Sequence, residues 1–271
     1  MYDSRCTSIL RSNIHHDAIA RAIACGQLHS GNISADRIRR LGMADHDARG
    51  RLDYGRKILC GQDELGQYLW SYGNMVRRQW HGFFGLHPVR PASAFQLADY
   101  GCGQGLAMAN VLDLAGASER TSLVQGITLV EPSADALARA STLAGLYLPQ
   151  LAPNTMNCHI EHVRENPLPY SATGQYLHLF SNVLDIASFN PANVLGNLLH
   201  IPGQHTLWAV SHNRGFDGGA PLLQHWAGCL DQAARATAGV QLHHCQLDEY
   251  PIAMSNGHSA AIAWQAQWEV A

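Results

Sequence analysis

The sequence predicts an α/β protein, a doubly wound, seven-stranded, mostly parallel sheet preceded by an N-terminal helical segment. Three observations carry this. A short apolar run holding Phe95, Leu97 and Ala98 ends in Asp99, passes into alternating glycines at 101, 103 and 105, and continues into the helix formers Leu106-Ala107-Met108-Ala109. From there to Gly239, apolar runs alternate with helix-patterned stretches, as crossover helices between parallel strands require. The last two runs, 240–247 and 260–270, have no helix between them and read as strands joined through Pro251 and Gly257.

The elements follow in order. Ser12 or Asn13 is placed to cap a helix through Leu28, with Ile14, Ala18, Ile19, Ala22 and Ile23 on one face. Ser34 caps a short helix through Leu41, closed by Gly42; its Arg37, Arg39 and Arg40 read as a solvated face. Asp63 or Glu64 begins a longer helix to about His81, with Leu65, Tyr68, Leu69, Tyr72, Met75, Val76 and Trp80 at helical spacing. That stripe reads as core, and Trp70, Tyr72 and Trp80 also precede the glycine turn closely enough to roof it. Gly82-Phe83-Phe84-Gly85 and His87 to Pro91 read as a break, dividing an N-terminal segment, 1–90, from a core, 91–271. In the core, strands are expected at 95–100, 126–130, 156–160, 176–180 and 205–211. Helices are expected at 104–115, 133–144, from Asn190-Pro191 to 200, and 221–238. Residues 161–175, with Pro167 and Pro169, read as a loop.

Strand, glycine turn and helix together bind phosphates or nucleosides, because the backbone must turn sharply and let a ligand approach. Spacing separates the ligand classes. A dinucleotide loop needs a glycine where this chain has Leu106. Asp99 would also repel a pyrophosphate but suits an ammonium and sulfonium. A second mark is the β-branched run ending in Glu131 and followed by Pro132-Ser133, where a carboxylate at a strand tip can accept both ribose hydroxyls.

With its acid-x-Gly-x-Gly-x-Gly loop, the chain resembles the class I S-adenosylmethionine-dependent methyltransferases, specifically over residues 95–212 and loosely elsewhere. Ser181-Asn182-Val183-Leu184-Asp185-Ile186 is similar to the family's fourth-strand end, although the acid that usually begins that strand is missing. The Asn/Asp-Pro-Pro-Tyr/Phe signature is missing too, so amino-group chemistry on bases is not implied. The resemblance implies a Rossmann-like core of strand order 3-2-1-4-5-7-6 with an antiparallel last strand. It implies S-adenosyl-L-methionine held by Asp99, Gly101, Cys102, Gly103, Gly105, Glu131, Pro132, Ser181 and Asn182. The family's acid after strand three has only Glu161 as a substitute here.

Composition bounds the rest. Of 271 residues, 46% are apolar and 14% charged, and no run of 18 apolar residues offers a membrane span. Seven scattered cysteines with no Cys-x-x-Cys pair point to reduced thiols and a cytoplasmic location. Residues 1–90 carry 13 of the 18 basic and 8 of the 21 acidic residues, while the remainder is acidic. Packing of this basic segment on the acidic core is the favoured reading; recruitment of an anionic partner, nucleic acid included, is the less favoured one. The sixteen histidines have no metal-ligand spacing, so no metal is expected.

Methyl transfer is an in-line displacement in which the protein aligns donor and acceptor and, for some acceptors, removes a proton. Asn182, Asp185 and Tyr72 are the candidate catalytic residues: Asn182 to orient the acceptor, Asp185 as base or cation holder, Tyr72 from the roof. His81 and His212 are weaker candidates. The expected function is a methyltransferase whose acceptor the sequence does not name. The alternatives are another transferase or an oxidoreductase on the same scaffold, and a binding module that has lost catalysis.

Overall fold

Asp17 accepts the Ile19 N–H and starts α1, Ala18–Ala24. This is the first element of a computed structural model that describes residues 17–87, 93–163, 174–215, 218–254 and 257–271. The expected caps Ser12 and Asn13, the break at 88–91 and the loop prolines Pro167 and Pro169 lie outside those residues. Ser34 caps α2, Ala35–Arg40. Asp45 caps α3, His46–Arg51, a helix too short for sequence periodicity to reveal.

The longest helix is α4, Gly61–Leu86. It runs through 82–85, where a break was expected. Leu65, Leu69, Val76, Trp80 and Phe83 are all buried on one stripe. Phe83 meets Trp80 and Trp208 edge-on, at 5.7 and 5.6 Å between ring centroids. Burying such a side chain contributes about 1.5–3 kcal/mol, which outweighs the roughly 1 kcal/mol that a helical glycine costs. Gly82 is there for contact: a Cβ would lie 2.5 Å from the Tyr250 ring. Gly42 likewise lets the chain pass over α4, since a Cβ would come within 2.4 Å of the Trp70 amide nitrogen. Trp70 itself is 62% exposed and roofs nothing.

The core then alternates: β1 Phe95–Tyr100, α5 Leu106–Asp113, α6 Ala117–Leu123, β2 Val124–Val130, α7 Ala134–Tyr147, β3 Asn154–Met156 and β4 Gln175–Ser181. It ends with α8 Ala192–Leu198, β5 Gly203–His212, α9 Gly219–Ala236, β6 Val240–Met254 and β7 Gly257–Val270. The sheet order is β3-β2-β1-β4-β5-β7-β6. β1 to β5 are parallel and β7 is antiparallel to both neighbours. Strand one lies between strands two and four, which opens a crevice above its carboxyl end. Two expectations change. β3 ends at Met156, because Ile160 turns inward in a tight 3₁₀ turn, Ile160–His162. β6 continues past 247 with Pro251 inside it; only β7 pairs with this edge strand, so the absent N–H need break no ladder bond.

Side chains alternate between two layers. Leu97, Leu129 and Trp208 face the N-terminal helices, α4, α5 and α7. Tyr100, Phe180 and Leu207 face α8 and α9. The N-terminal segment is bound to the core by apolar packing and by partly buried polar contacts. Arg139 of α7 reaches Asp17 at 3.1 Å and Gln104 at 2.6 Å, and also bonds Gln62. Asp113 accepts the Ala35 N–H and Asp135 the Gly61 N–H, both at 2.8 Å.

Candidate active site

The glycine turn begins where β1 runs out. The N–H groups of Gly101 and Cys102 both bond the Val130 carbonyl at the end of β2, at 2.8 and 3.0 Å. Gly101 and Gly103 then adopt φ of 65° and 51°, a left-handed backbone that L side chains rarely enter. A Cβ at Gly101 would strike Val183 at 2.6 Å, whereas one at Gly103 would meet nothing within 4 Å. The turn is therefore closed beneath and open above. Glu131 fixes it: Oε2 accepts the Gly103 N–H at 3.0 Å and Oε1 the Ser133 N–H at 2.9 Å. Burial pushes the Glu131 carboxyl above its ordinary pKa, and those two N–H groups oppose the shift.

A cavity of 380 Å³ lies over the turn. Gly101, Gly103, Glu131 and Pro132 form its floor, with Ser181 and Asn182 on one side and Ile160 and Glu161 on another. Its cover is a strap, residues 55–59. The strap is tied down: the Ser133 hydroxyl donates to Leu59 O at 2.5 Å, and Lys57 pairs with Glu64 at 2.8 Å. Burial alone would raise the Glu64 pKa, but Lys57, the Cys60 N–H and Arg51 together hold it low.

A second cavity, of 500 Å³, adjoins the first. Tyr68, Asn182, Ile186, Gly55 and Arg56 belong to both. Tyr72, Met75, Asp185, His212 and Arg214 line only the second. Asp185 is 3% exposed, accepts from the Ser211 hydroxyl at 3.3 Å and faces Arg214 Nη2 at 3.3 Å. Burial raises its pKa and Arg214 opposes this.

The residues named from sequence are thus distributed. Gly101, Gly103, Glu131, Pro132, Ser181 and Asn182 line the smaller cavity, and Tyr72, Asp185 and Asn182 the larger. Asp99, Cys102 and Gly105 line neither. Cys102 is buried beneath the turn, and burial raises its thiol pKa well above normal. Gly105 packs on α7, where a Cβ would lie 3.2 Å from Ala140 Cα. Asp99 is fully buried: Oδ2 accepts the Met108 N–H at 3.1 Å, while Oδ1 has no partner among the described residues. Burial lifts its pKa to about 7, despite the Met108 N–H. Asn182 differs most from expectation. Its side-chain amide exchanges two 2.9 Å hydrogen bonds with Gln79 of α4, and it sits at φ 56°. Ser181 Oγ takes the Trp80 indole N–H at 3.1 Å. Both residues are thus positioned by α4. The sequence placed Tyr68 on the aromatic stripe expected over the crevice, and nothing in it pointed to the strap or to Arg214.

Among the described residues no three His, Cys, Asp or Glu side chains are grouped to hold a metal, and no helix is long and apolar enough to cross a membrane. No protein-family model and no curated protein matches the chain. Its strand order, with β7 antiparallel, is the one the sequence led us to expect. Solved structures similar to it include three. The mitomycin 7-O-methyltransferase MmcR is 15% identical over 98% of this chain and 66% of that one, TM-score 0.43. The CurJ carbon methyltransferase is 15% identical over 75% and 57%, TM-score 0.44. An rRNA methylase from Streptococcus thermophilus is 12% identical over 71% and 95%, TM-score 0.37.

Proposed function

We propose that the chain is an S-adenosyl-L-methionine-dependent methyltransferase, with the donor in the smaller cavity and the acceptor in the larger. The observation that supports this best is the set of vacant acceptors around an open glycine turn. Gly103 leaves room above it, Glu131 keeps a second lone pair on each oxygen, and Glu161 Oε2 is buried without a partner among the described residues. A nucleoside with ribose hydroxyls and an exocyclic amine supplies donors for such groups. Gly101, Gly103, Pro132 and Ser181 would line its path, with Glu131 toward the ribose and Glu161 toward the base, while Asp99, buried under the turn, holds the start of α5 through the Met108 N–H. When bound, S-adenosylmethionine supplies an electrophilic methyl group. The chain's own residues then exclude water through the strap, hold the acceptor against Tyr68 and Tyr72, and keep Asn182 fixed through Gln79.

Titration calorimetry with S-adenosylmethionine, S-adenosylhomocysteine and NADH tests the reading. Heat is expected for both sulfur nucleosides and none for NADH, and the reverse would overturn it. A labelled-methyl screen against cell extract separates an enzyme, which labels an acceptor, from a binding module, which labels none.

A further inference from the structure

The larger cavity is built for one kind of acceptor. Its 500 Å³ falls within the roughly 300–1,000 Å³ of small-molecule sites. The helical side of its wall is aromatic and soft: Tyr54, Tyr68, Tyr72 and Met75. Tyr68 and Tyr72 stand 5.1 Å apart at 53°. Tyr54 is 81% exposed, in a turn where Asp53, Tyr54 and Gly55 all have positive φ, at 43°, 55° and 86°. Such strain persists where the surrounding structure enforces it, often at ligand sites. Here it sets an aromatic ring at the rim. Flat ligands gain most from walls of this kind.

The polar groups on the opposite wall are mostly engaged. The Asn182 amide is held by Gln79, and Asp185 by Ser211 and Arg214. A protonated amine would need an uncompensated carboxylate, and Asp185 is not one. His212 differs. Its Nε2 bonds Ser259 Oγ at 2.5 Å, and its Nδ1 has no partner among the described residues. Burial, then the charge of Arg214, lower its pKa, so the ring is neutral near pH 7. A neutral imidazole beside an aromatic cavity suits removal of a proton from a weakly acidic hydroxyl.

We infer that the acceptor is a small planar aromatic compound carrying a hydroxyl group, and that His212 is the base that deprotonates it; this rests on the methyl-transfer reading. The hydroxyl proton passes to the free ring nitrogen of His212. The acceptor oxygen forms the new O–CH₃ bond as the C–S bond breaks, with that electron pair returning to sulfur. The imidazolium then releases its proton to water.

Two readouts test this. The first is side-chain ¹⁵N NMR of the wild type saturated with S-adenosylhomocysteine, with the His212 signal assigned through His212→Gln, titrated with 4-nitrophenol. The unprotonated His212 nitrogen should move toward the protonated position; an unchanged signal at saturating probe would overturn the assignment. The second is turnover with labelled S-adenosylmethionine on matched sets of phenols, anilines and benzoates. Only the phenols should be labelled, and His212→Gln should lose about 10²- to 10⁴-fold in turnover with unchanged affinity for the methyl donor. Labelling of anilines or benzoates instead, or a His212→Gln enzyme with full turnover on phenols, contradicts the inference. If the wild type gives no calorimetric heat with S-adenosylmethionine, the methyl-transfer reading itself fails, which is a separate result.

Discussion

Gly103 is the residue at which the open face of the turn and its left-handed backbone coincide. Its φ of 51° and the open space above it mean that a side chain there clashes with no protein atom within 4 Å of its Cβ. Gly103→Val should therefore fold, at a cost of about 1–2 kcal/mol for the left-handed backbone, while losing measurable binding of S-adenosylhomocysteine. A denaturant titration gives the first quantity and calorimetry the second. A folded variant that binds normally would move the ligand off the turn. The same turn shows what the sequence made legible. Gly101, Gly103 and Glu131 stand within one strand–turn–helix unit and the next strand tip, so local pattern names them. Asn182 was named too, but its amide is engaged by Gln79, 103 positions away in sequence. No local pattern reports that.

At the scale of elements, α4 decides how the site is assembled. Its Gln79 and Trp80 hold Asn182 and Ser181, and the Tyr250 hydroxyl donates to Gln79 O at 2.7 Å. Gly82 admits the Tyr250 ring. Gly82→Ala, stabilising on helix propensity alone, should instead destabilise by about 1–3 kcal/mol through overpacking, read as a shift in urea midpoint. A stabilised variant would show that the contact is loose. Read from sequence, Gly82 and Gly85 look like punctuation because propensity is local and the tyrosine arrives from β6. The strands carry a second device. The Ile201 carbonyl can only accept, so His205 donates to it from Nε2 at 2.8 Å. His205 Nδ1 must then accept from His178 Nε2 at 3.0 Å, and both rings stack on Trp268. Both histidines are neutral, with pKa values lowered chiefly by burial, that of His205 to about 4. The unfolded chain binds the protons that the folded one refuses. The stability these rings contribute is thus complete above pH 6.5 and declines as pH falls toward 4. The slope is about 1.4 kcal/mol per pH unit for each group. Urea melts from pH 7 to 4 should show His205→Gln with a shallower decline than the wild type. Parallel declines would mean that His205 titrates normally in the fold.

Across the whole molecule, the alternation of strands and helices made the sheet and its order legible, because that information is periodic and repeated. The polar part of the junction between the N-terminal helices and the core was not, because beside the apolar packing of Ile19, Ala22 and Ile38 it rests on single contacts between residues far apart in sequence. Arg139 is the chief of these, 3% exposed and bonded to Asp17, Gln62 and Gln104. Arg139→Ala removes the partner of the half-buried Asp17 and of Gln62 and Gln104 and should cost about 1–3 kcal/mol, as polar groups left without partners do. Limited proteolysis should then cut the segment before α4 faster than the sheet core. Uniform resistance would show that apolar packing alone holds the segment.

The central claim is that Glu131 and the glycine turn hold a nucleoside. A crystal structure of the protein grown with S-adenosylhomocysteine tests it most directly. The arrangement predicts density for the ribose hydroxyls at Glu131, with the adenosine above Gly101 and Gly103 and the 500 Å³ cavity continuing beyond the sulfur. Density for the nucleoside elsewhere on the protein, with the space above Gly103 empty at saturating ligand, would contradict it.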